Sequence, residues 1–224
     1  APGRFLHAFY KECCIMKLAV FDVDGTLNET ERYAVRAYRE TLLAVGRPAP
    51  PDARILALFG EPPQRIEDVL LRGCGPQVRG EFARLIVKKE SELMRKYGKA
   101  YDGTAEMLRE LRQKGIRTAV CSNTTAEHIR SVLSAIRLTD LIDYSQPLEG
   151  GGTKTDSLRC LLKKTRPEAA CMVGDRRFDK KAARDNGIPF VGCLYGYGRD
   201  EVLDADFVAD SPREVLRGVL RLLG

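Results

Sequence analysis

The sequence has little of what a zinc site, a disulfide framework or a membrane anchor requires. Its seven cysteines include no pair with C-x-x-C spacing, and its only histidines are His7 and His128. Zinc sites and disulfide frameworks depend on such clusters, so we expect neither. No stretch is long and apolar enough to span a membrane, and the apolar residues 5–9 are too few for a signal peptide. We therefore predict a cytoplasmic protein without a membrane partner.

The sequence also lacks a basic patch interleaved with aromatic residues, although its net charge is +6. A positive charge suits an anionic partner, either a phosphorylated metabolite or a nucleic acid. The arginines are scattered along predicted helices, where they are typical of a solvated face. We expect a small phosphorylated metabolite as partner and no nucleic acid, and the oligomeric state stays open.

Residues 18–27 contain the pattern around which the chain is organised. Five of the six residues before Asp24 are apolar, which predicts a strand buried on both faces, as in a parallel sheet. The strand ends at Asp22 and Asp24, two carboxylates that would point the same way. Two carboxylates in one small space require a cation or a shared proton. Ligands of open α/β sheets bind at this end of the strands.

The rest of the chain predicts an α/β core that is interrupted by one helical insert. Between residues 28 and 97 the apolar spacing is helical and no strand signal occurs. After residue 98, predicted strands and helices alternate, which indicates a doubly wound parallel sheet. We expect a core of residues 16–27 and 98–224, an all-helical cap of residues 28–97, and an extension outside the fold, native or artificial, at residues 1–15. A capping box at residues 28–31 and a short strand at residues 141–144 belong to this prediction.

Three of the predicted strands end in polar residues, and their ends should share one edge of the sheet. These residues are Asp22 with Asp24, Ser122, and Asp175. Carboxylates, a hydroxyl and a lysine together suit phosphoryl transfer, in which a metal and a cation offset the charge of the phosphoryl group. Asp22, Asp175 and the backbone carbonyl of Asp24 could supply oxygen ligands to Mg²⁺.

The sequence resembles the haloacid dehalogenase-like hydrolase superfamily, from residue 16 to the C-terminus. Residues 22–27 match its first motif, residues 122–124 the second, Lys154 the third and residues 174–179 the fourth. The helical insert lies where the family has its alpha-helical cap, and residues 182–198 are similar to phosphoglycolate phosphatases. The resemblance implies a Rossmann-like core and a Mg²⁺-dependent phosphatase that acts on a phosphoglycolate-like molecule or a sugar phosphate.

The resemblance also implies a role for each motif residue. Asp22 would be the nucleophile that forms an aspartyl-phosphate, and Asp24 the general acid and base. Ser122 and Lys154 would bind the phosphoryl group and act in catalysis. The resemblance further implies that Asn123 binds the substrate. It implies four metal-binding residues: Asp22, Asp24, Asp175 and Asp179. Asp179 could instead orient Lys154 or act only as a helix cap.

Two other functions stay open at this point. One is a phosphosugar mutase on the same scaffold, and the other is a non-catalytic regulatory or nucleic-acid-binding protein that kept the fold. Residues 60–65 and 72–75 are candidate substrate-facing turns. Arg176 and Arg177 are interpreted as a solvated face, and Tyr197 as loop packing.

Overall fold

The computed structural model describes residues 16–148, 150 and 152–224, and in them six strands form one parallel sheet. The strand order is β3-β2-β1-β4-β5-β6, and every neighbouring pair is parallel. This confirms the predicted α/β class. The strands are β1 Lys17–Phe21, β2 Ile116–Cys121, β3 Tyr144–Gln146, β4 Ala169–Gly174, β5 Phe190–Cys193 and β6 Phe207–Ala209.

Nine α-helices accompany the sheet in the described part of the chain. Four of them lie within residues 28–97, the predicted helical insert: α1 Ala34–Ala44, α2 Asp52–Leu56, α3 Pro63–Leu70 and α4 Pro76–Tyr97. The others are α5 Thr104–Gln113, α6 Ala126–Ala135, α7 Lys154–Thr165, α8 Arg177–Asp185 and α9 Pro212–Leu223. No strand is assigned between residues 29 and 97, all of which are described, although Asn28 forms one isolated bridge to Ala100. The division of the chain into a core and a cap stays a prediction.

Residues of β1 alternate between two hydrophobic clusters on opposite faces of the sheet. Ala19 and Phe21 belong to a large cluster, whereas Leu18 and Val20 belong to a smaller one. The alternation follows from the two-residue period of a strand. Helices α7 and α8 cover the smaller cluster, and the larger one continues from the sheet into α1 and α4. Helices on both faces make the sheet doubly wound, as predicted.

Two local predictions are wrong. The predicted strand at residues 141–144 is β3, Tyr144–Gln146, because a 3-10 turn occupies Thr139–Leu141. Asn28 does not cap a helix: the next helical segment, a 3-10 turn at Thr30–Arg32, has Glu29 before it and no side-chain cap bond, and the buried Asn28 amide donates to Thr30 and Tyr33 at 2.8 and 2.9 Å. The prediction for residues 1–15 lies outside the described residues. Within the described ones, no helix is both long enough and apolar enough to cross a membrane.

Candidate active site

The carboxyl ends of β1, β2 and β4 place the predicted motif residues side by side. Phe21 is in register with Val120 of β2 and with Val173 of β4. The backbone N–H of Asp22 donates to the carbonyl of Val173 at 2.9 Å, which continues the ladder one residue beyond β1. Ser122 and Asp175 directly follow the neighbouring strands. The predicted convergence of these residues is therefore present in the structure.

Lys154 is buried at the start of α7, with its ammonium between Asp22 and Asp179. The Nζ atom lies 2.5 Å from Oδ1 of Asp179 and forms a second ion pair with Oδ1 of Asp22. Burial by itself would lower the pKa of Lys154, but the attraction of Asp179 and Asp22 outweighs it and raises that pKa. The lysine therefore stays charged next to the predicted nucleophile.

Asp22 is the member of this pair that titrates near neutrality. Burial raises the pKa of Asp22 to about 7, against the opposing attraction of Lys154. Repulsion from Asp179 and Asp24 adds to the effect of burial. The ionised form of Asp22 thus depends on a cation nearby.

Asp175 is buried next to the same carboxylates, and its charge is poorly compensated. Burial, followed by repulsion from Asp179 and Asp22, raises the pKa of Asp175 well above its ordinary value. The residue is completely buried, and its Oδ2 accepts from the backbone N–H of Tyr197 at 2.6 Å. One carboxylate oxygen each of Asp22, Asp175 and Asp179 lies within 4.8 Å of the others. Three buried carboxylates around one lysine leave negative charge for a further cation.

The donor set of this cluster fits Mg²⁺. Carboxylate oxygens are the ligands that Mg²⁺ prefers, and zinc would call for histidine or cysteine. Burial raises the pKa of the nearby Cys121 thiol to about 12 and also raises that of Cys193, so both thiols stay protonated. Asp179 uses Oδ1 for Lys154 and Oδ2 for the backbone N–H of Arg176, at 2.9 Å. Asp22 and Asp175 are thus the better candidate ligands, and Asp179 is placed to orient Lys154.

The side chain of Asp24 lies apart from this carboxylate cluster. Its Oδ1 accepts from the hydroxyl of Thr30 at 2.6 Å and from the amide of Asn28 at 3.3 Å. Both donors come from the turn that follows β1, so the turn fixes the direction of this carboxylate. Thr30 was not among the predicted site residues, because it belongs to no recognisable motif and the sequence does not show that it contacts Asp24.

A cavity of about 470 Å³ opens over Asp22 and Asp24. Ser122 and Asn123 line it from the sheet side, and most of the other lining residues belong to α1, α3, α4, α6 and the turn between α2 and α3. Of the predicted substrate-facing turns, residues 60, 61, 63 and 64 line the cavity, whereas residues 72–75 do not. The volume is typical of a site for a small molecule.

The family follows from comparison with known proteins. A family model described as "Haloacid dehalogenase-like hydrolase" matches residues 19–193, well over half of the chain. The chain belongs to this family. The prediction of a hydrolase of the haloacid dehalogenase-like superfamily is confirmed.

Several curated relatives of this hydrolase are of moderate similarity. Phosphoglycolate phosphatase of Vibrio vulnificus is 27% identical over 227 residues, which cover 92% of this chain and 96% of the relative. Tyrosine-protein kinase PtkA of Mycobacterium bovis is 29% identical over 194 residues, 84% of this chain. The matched region spans only 65% of the length of that kinase.

Solved structures confirm the fold of this hydrolase. A crystal structure from Haemophilus somnus, described as a predicted phosphoglycolate phosphatase, has a TM-score of 0.82 at 22% identity and covers 90% of this chain and 97% of that one. CbbY of Rhodobacter sphaeroides in complex with phosphate has a TM-score of 0.78 at 24% identity, with 89% and 96% covered. The resemblance that the motifs predicted is thus confirmed at the level of family and fold.

Arg176 of this hydrolase is not on a solvated face, contrary to the prediction. It is only 4% exposed, and its guanidinium donates to the carbonyl of Phe59 and, at 3.0 Å, to Glu201. Phe59 belongs to the turn between α2 and α3, residues 57–61, which we call the α2–α3 turn. Asn123 holds the same turn by donating to the carbonyl of Gly60 at 2.9 Å. Residues of the second and fourth motifs therefore tie the helical insert to the sheet.

The sequence predicted only loop packing for Tyr197, but this residue also forms hydrogen bonds within the site. Besides its N–H bond to Asp175, its hydroxyl pairs with the carboxylate of Glu31. Its ring lies against Gly25, where an added Cβ would be 2.7 Å from a ring carbon and 2.5 Å from Oδ2 of Asp175. Gly25 also has a φ of +82°, so both the close contacts and the backbone conformation at this position of the first motif require glycine. Gly25 could be recognised in the first motif, but the sequence does not indicate that Tyr197 packs against it.

Proposed function

We propose that this hydrolase is a Mg²⁺-dependent phosphatase that cleaves a small phosphorylated metabolite through an aspartyl-phosphate on Asp22. The observation that supports the proposal most is the arrangement at the floor of the cavity. Asp22 and Asp24 both face the cavity, and only Asp22 is paired with the buried ammonium of Lys154. One carboxylate is thus placed beside a fixed cation, and the other is held by neutral donors.

In the first step, a carboxylate oxygen of Asp22 attacks phosphorus, and the bond from phosphorus to the ester oxygen breaks. Asp24 gives its proton to the departing oxygen, which leaves as an alcohol. The hydrogen bonds from Thr30 and Asn28 hold the Asp24 carboxyl in place for this transfer. The nucleophile needs no reorientation, because Lys154 already fixes its other oxygen.

In the second step, water attacks the phosphorus of the aspartyl-phosphate and gives a proton to Asp24. The bond between phosphorus and the Asp22 oxygen breaks, which restores the carboxylate and releases inorganic phosphate. Ser122, at the end of β2, is placed to donate to a phosphoryl oxygen, and Lys154 to offset the charge of the group. Asn123 contributes through the α2–α3 turn, to which its amide is bound.

Asp22 and Asp175 would hold the Mg²⁺ ion, with the backbone carbonyl of Asp24 as a third oxygen. When bound, Mg²⁺ supplies positive charge that offsets the repulsion between an anionic nucleophile and an anionic phosphoryl group. The raised pKa of both carboxyls is consistent with such a need. A cytoplasmic location and the absence of a nucleic-acid partner stay predictions.

The test is release of inorganic phosphate from a panel of phosphate esters, with Mg²⁺ and with EDTA. The panel holds phosphoglycolate, which the names of the relatives suggest, together with hexose phosphates, nucleotides and aryl phosphates. We expect Mg²⁺-dependent release that is lost in Asp22→Asn and retained in Asp102→Asn, a change at an 89% exposed side chain. Full activity in Asp22→Asn would refute the assigned nucleophile. Conversion of one sugar phosphate isomer into another, without phosphate release, would indicate a mutase instead.

A further inference from the structure

The cavity above Asp22 and Asp24 has an unusual charge for an enzyme of basic composition. The whole chain carries a net charge of +6, yet no lysine or arginine is among the residues that line this cavity in the described part of the chain. Beyond the two aspartates, the lining contains four glutamates: Glu61, Glu67, Glu90 and Glu127. The lysines and arginines of the described residues lie outside this lining.

Two of these glutamates reach the cavity from different helices and form no ion pair with a described residue. Glu67 on α3 and Glu90 on α4 are half-buried, and neither forms an ion pair with any residue that the structure describes. Burial raises the pKa of both carboxyls, against the opposing attraction of Arg79 on Glu67 and of His128 on Glu90. Glu61, by contrast, is paired with Arg177 at 3.1 Å.

His128 on α6 is the one lining side chain in the described residues that can carry positive charge. It lies near enough to Glu90 to favour the ionised glutamate. One histidine does not balance the glutamates, so a second anionic group on the substrate would meet net repulsion here. A group without charge, or with positive charge, would not.

Part of the lining of this cavity is aromatic. Tyr38, Phe59 and Phe82 line the cavity, with ring centroids of Tyr38 at 6.4 Å from Phe59 and 6.2 Å from Phe82. Aromatic faces bind apolar surface and also attract ammonium groups. Carboxylates beside aromatic rings are thus a surface for a cationic nitrogen on an apolar frame.

We propose that the alcohol part of the substrate carries no second anionic group and joins an apolar surface to a positively charged nitrogen. The inference rests on the proposed phosphatase function and narrows its substrate class. It predicts discrimination against esters such as phosphoglycolate, whose carboxylate would be directed into the glutamate-lined space.

The experiment compares three aryl phosphates that differ only at the para position: carboxyl, methyl and aminomethyl. We expect kcat/KM to rise in that order, with about a ten-fold or larger difference between the carboxyl and aminomethyl compounds. Phosphoglycolate and phosphoethanolamine, which match in length, form a second pair with the same expected order.

Two variants test whether the glutamates of the cavity cause this order of kcat/KM values. Glu90→Gln should narrow the difference between the carboxyl and aminomethyl compounds several-fold, and Glu67→Gln, on another helix, gives the same readout if the first variant does not fold. Glu92→Gln is the matched control, because Glu92 is an exposed residue of α4 that lies outside the cavity lining. It should leave the difference unchanged.

The outcomes separate this inference from the proposed function. Equal or faster hydrolysis of the carboxyl compound, or an order that neither glutamine variant alters, would overturn the inference while the phosphatase function stands. Release of phosphate from other esters of the panel but from no aryl or ethanolamine compound would do the same. No phosphate release from any ester would overturn the proposed function itself.

Discussion

Replacement of Lys154 by methionine tests the charge arrangement at the centre of the site. The side chain of Lys154 is 5% exposed, and its two partners, Asp22 and Asp179, are 4% and 0% exposed. Removing one member of a buried ion pair leaves an uncompensated charge and costs about 3–5 kcal/mol. For a protein of this size, each kcal/mol lowers Tm by roughly 2–4 °C, so we expect a decrease of about 6–20 °C.

The assay is thermal and urea unfolding in EDTA, with Lys163→Met as the control. Lys163 is an exposed residue of the same helix, α7, and its replacement should change stability by no more than about 0.5 kcal/mol. A loss below about 1 kcal/mol in Lys154→Met would refute the reasoning, because the carboxylates would then not depend on this lysine.

The pH dependence of the deficit separates charge from packing. Without Lys154 the pKa of Asp22 would rise further above its value in the unfolded chain. A carboxyl whose pKa is raised on folding favours the native state at low pH, and this contribution is lost as the pH rises through the native pKa. The deficit of Lys154→Met should therefore be smaller at pH 5, below the native Asp22 pKa of about 7, than at pH 8, above it. A deficit that is equal at both pH values would indicate lost packing alone.

Three further predictions concern the same site. In EDTA, the free energy of unfolding of the unsubstituted protein should fall as the pH rises from the ordinary carboxyl pKa of 3.8 to the Asp22 pKa of about 7, by at most about 1.4 kcal/mol per pH unit, and urea titrations at several pH values would measure this. Gly174→Ala should lose about 1–3 kcal/mol of stability in urea unfolding and reduce phosphate release, because the added Cβ would overlap the carboxyl group of Asp179. Asn123→Ala should cost about 1 kcal/mol of stability and raise KM, because the α2–α3 turn loses one hydrogen bond to the sheet, and steady-state kinetics with thermal unfolding would show both.

Each of these has a result that would count against it. Stability in EDTA that is constant or rises between pH 3.8 and pH 7 would contradict the raised pKa of Asp22. Gly80→Ala, on α4 with no atom near the added Cβ, should gain up to about 1 kcal/mol, so a similar gain in Gly174→Ala would show that the crowding is absent. An unchanged KM in Asn123→Ala would show that its bond to the turn does not affect substrate binding.

Much of this architecture could be predicted because it depends on local patterns and on one topological rule. The apolar run before Asp22 predicted β1, and parallel strands necessarily bring their carboxyl ends to one edge. The rule placed Ser122 and Asp175 beside Asp22 although they are far apart in sequence. Lys154 was placed by its motif and by the start of α7, where it is found.

Other contacts could not be predicted because they join residues without a shared pattern. The burial of Arg176 depends on the carbonyl of Phe59, and nothing in either residue indicates that the α2–α3 turn lies against α8. Tyr197 reaches Asp175 through its backbone N–H, a group that every residue except proline has. The acidic character of the cavity likewise arises only when Glu67 and Glu90 are brought together by the packing of the insert.

The continuous hydrophobic cluster that runs from the sheet into the insert has a consequence for how this enzyme can change. Phe21 of the sheet and Phe82 of α4 belong to one cluster. Tyr33, which lies between them in the sequence, belongs to it as well. An insert exchanged as a block would have to bring its own complementary apolar face, or leave large side chains of the sheet exposed to water. Substitutions at positions such as Glu67 and Glu90, which face the cavity and not this cluster, would leave that interface intact. New substrate preferences are thus more accessible to this chain through single cavity residues than through exchange of the whole helical segment.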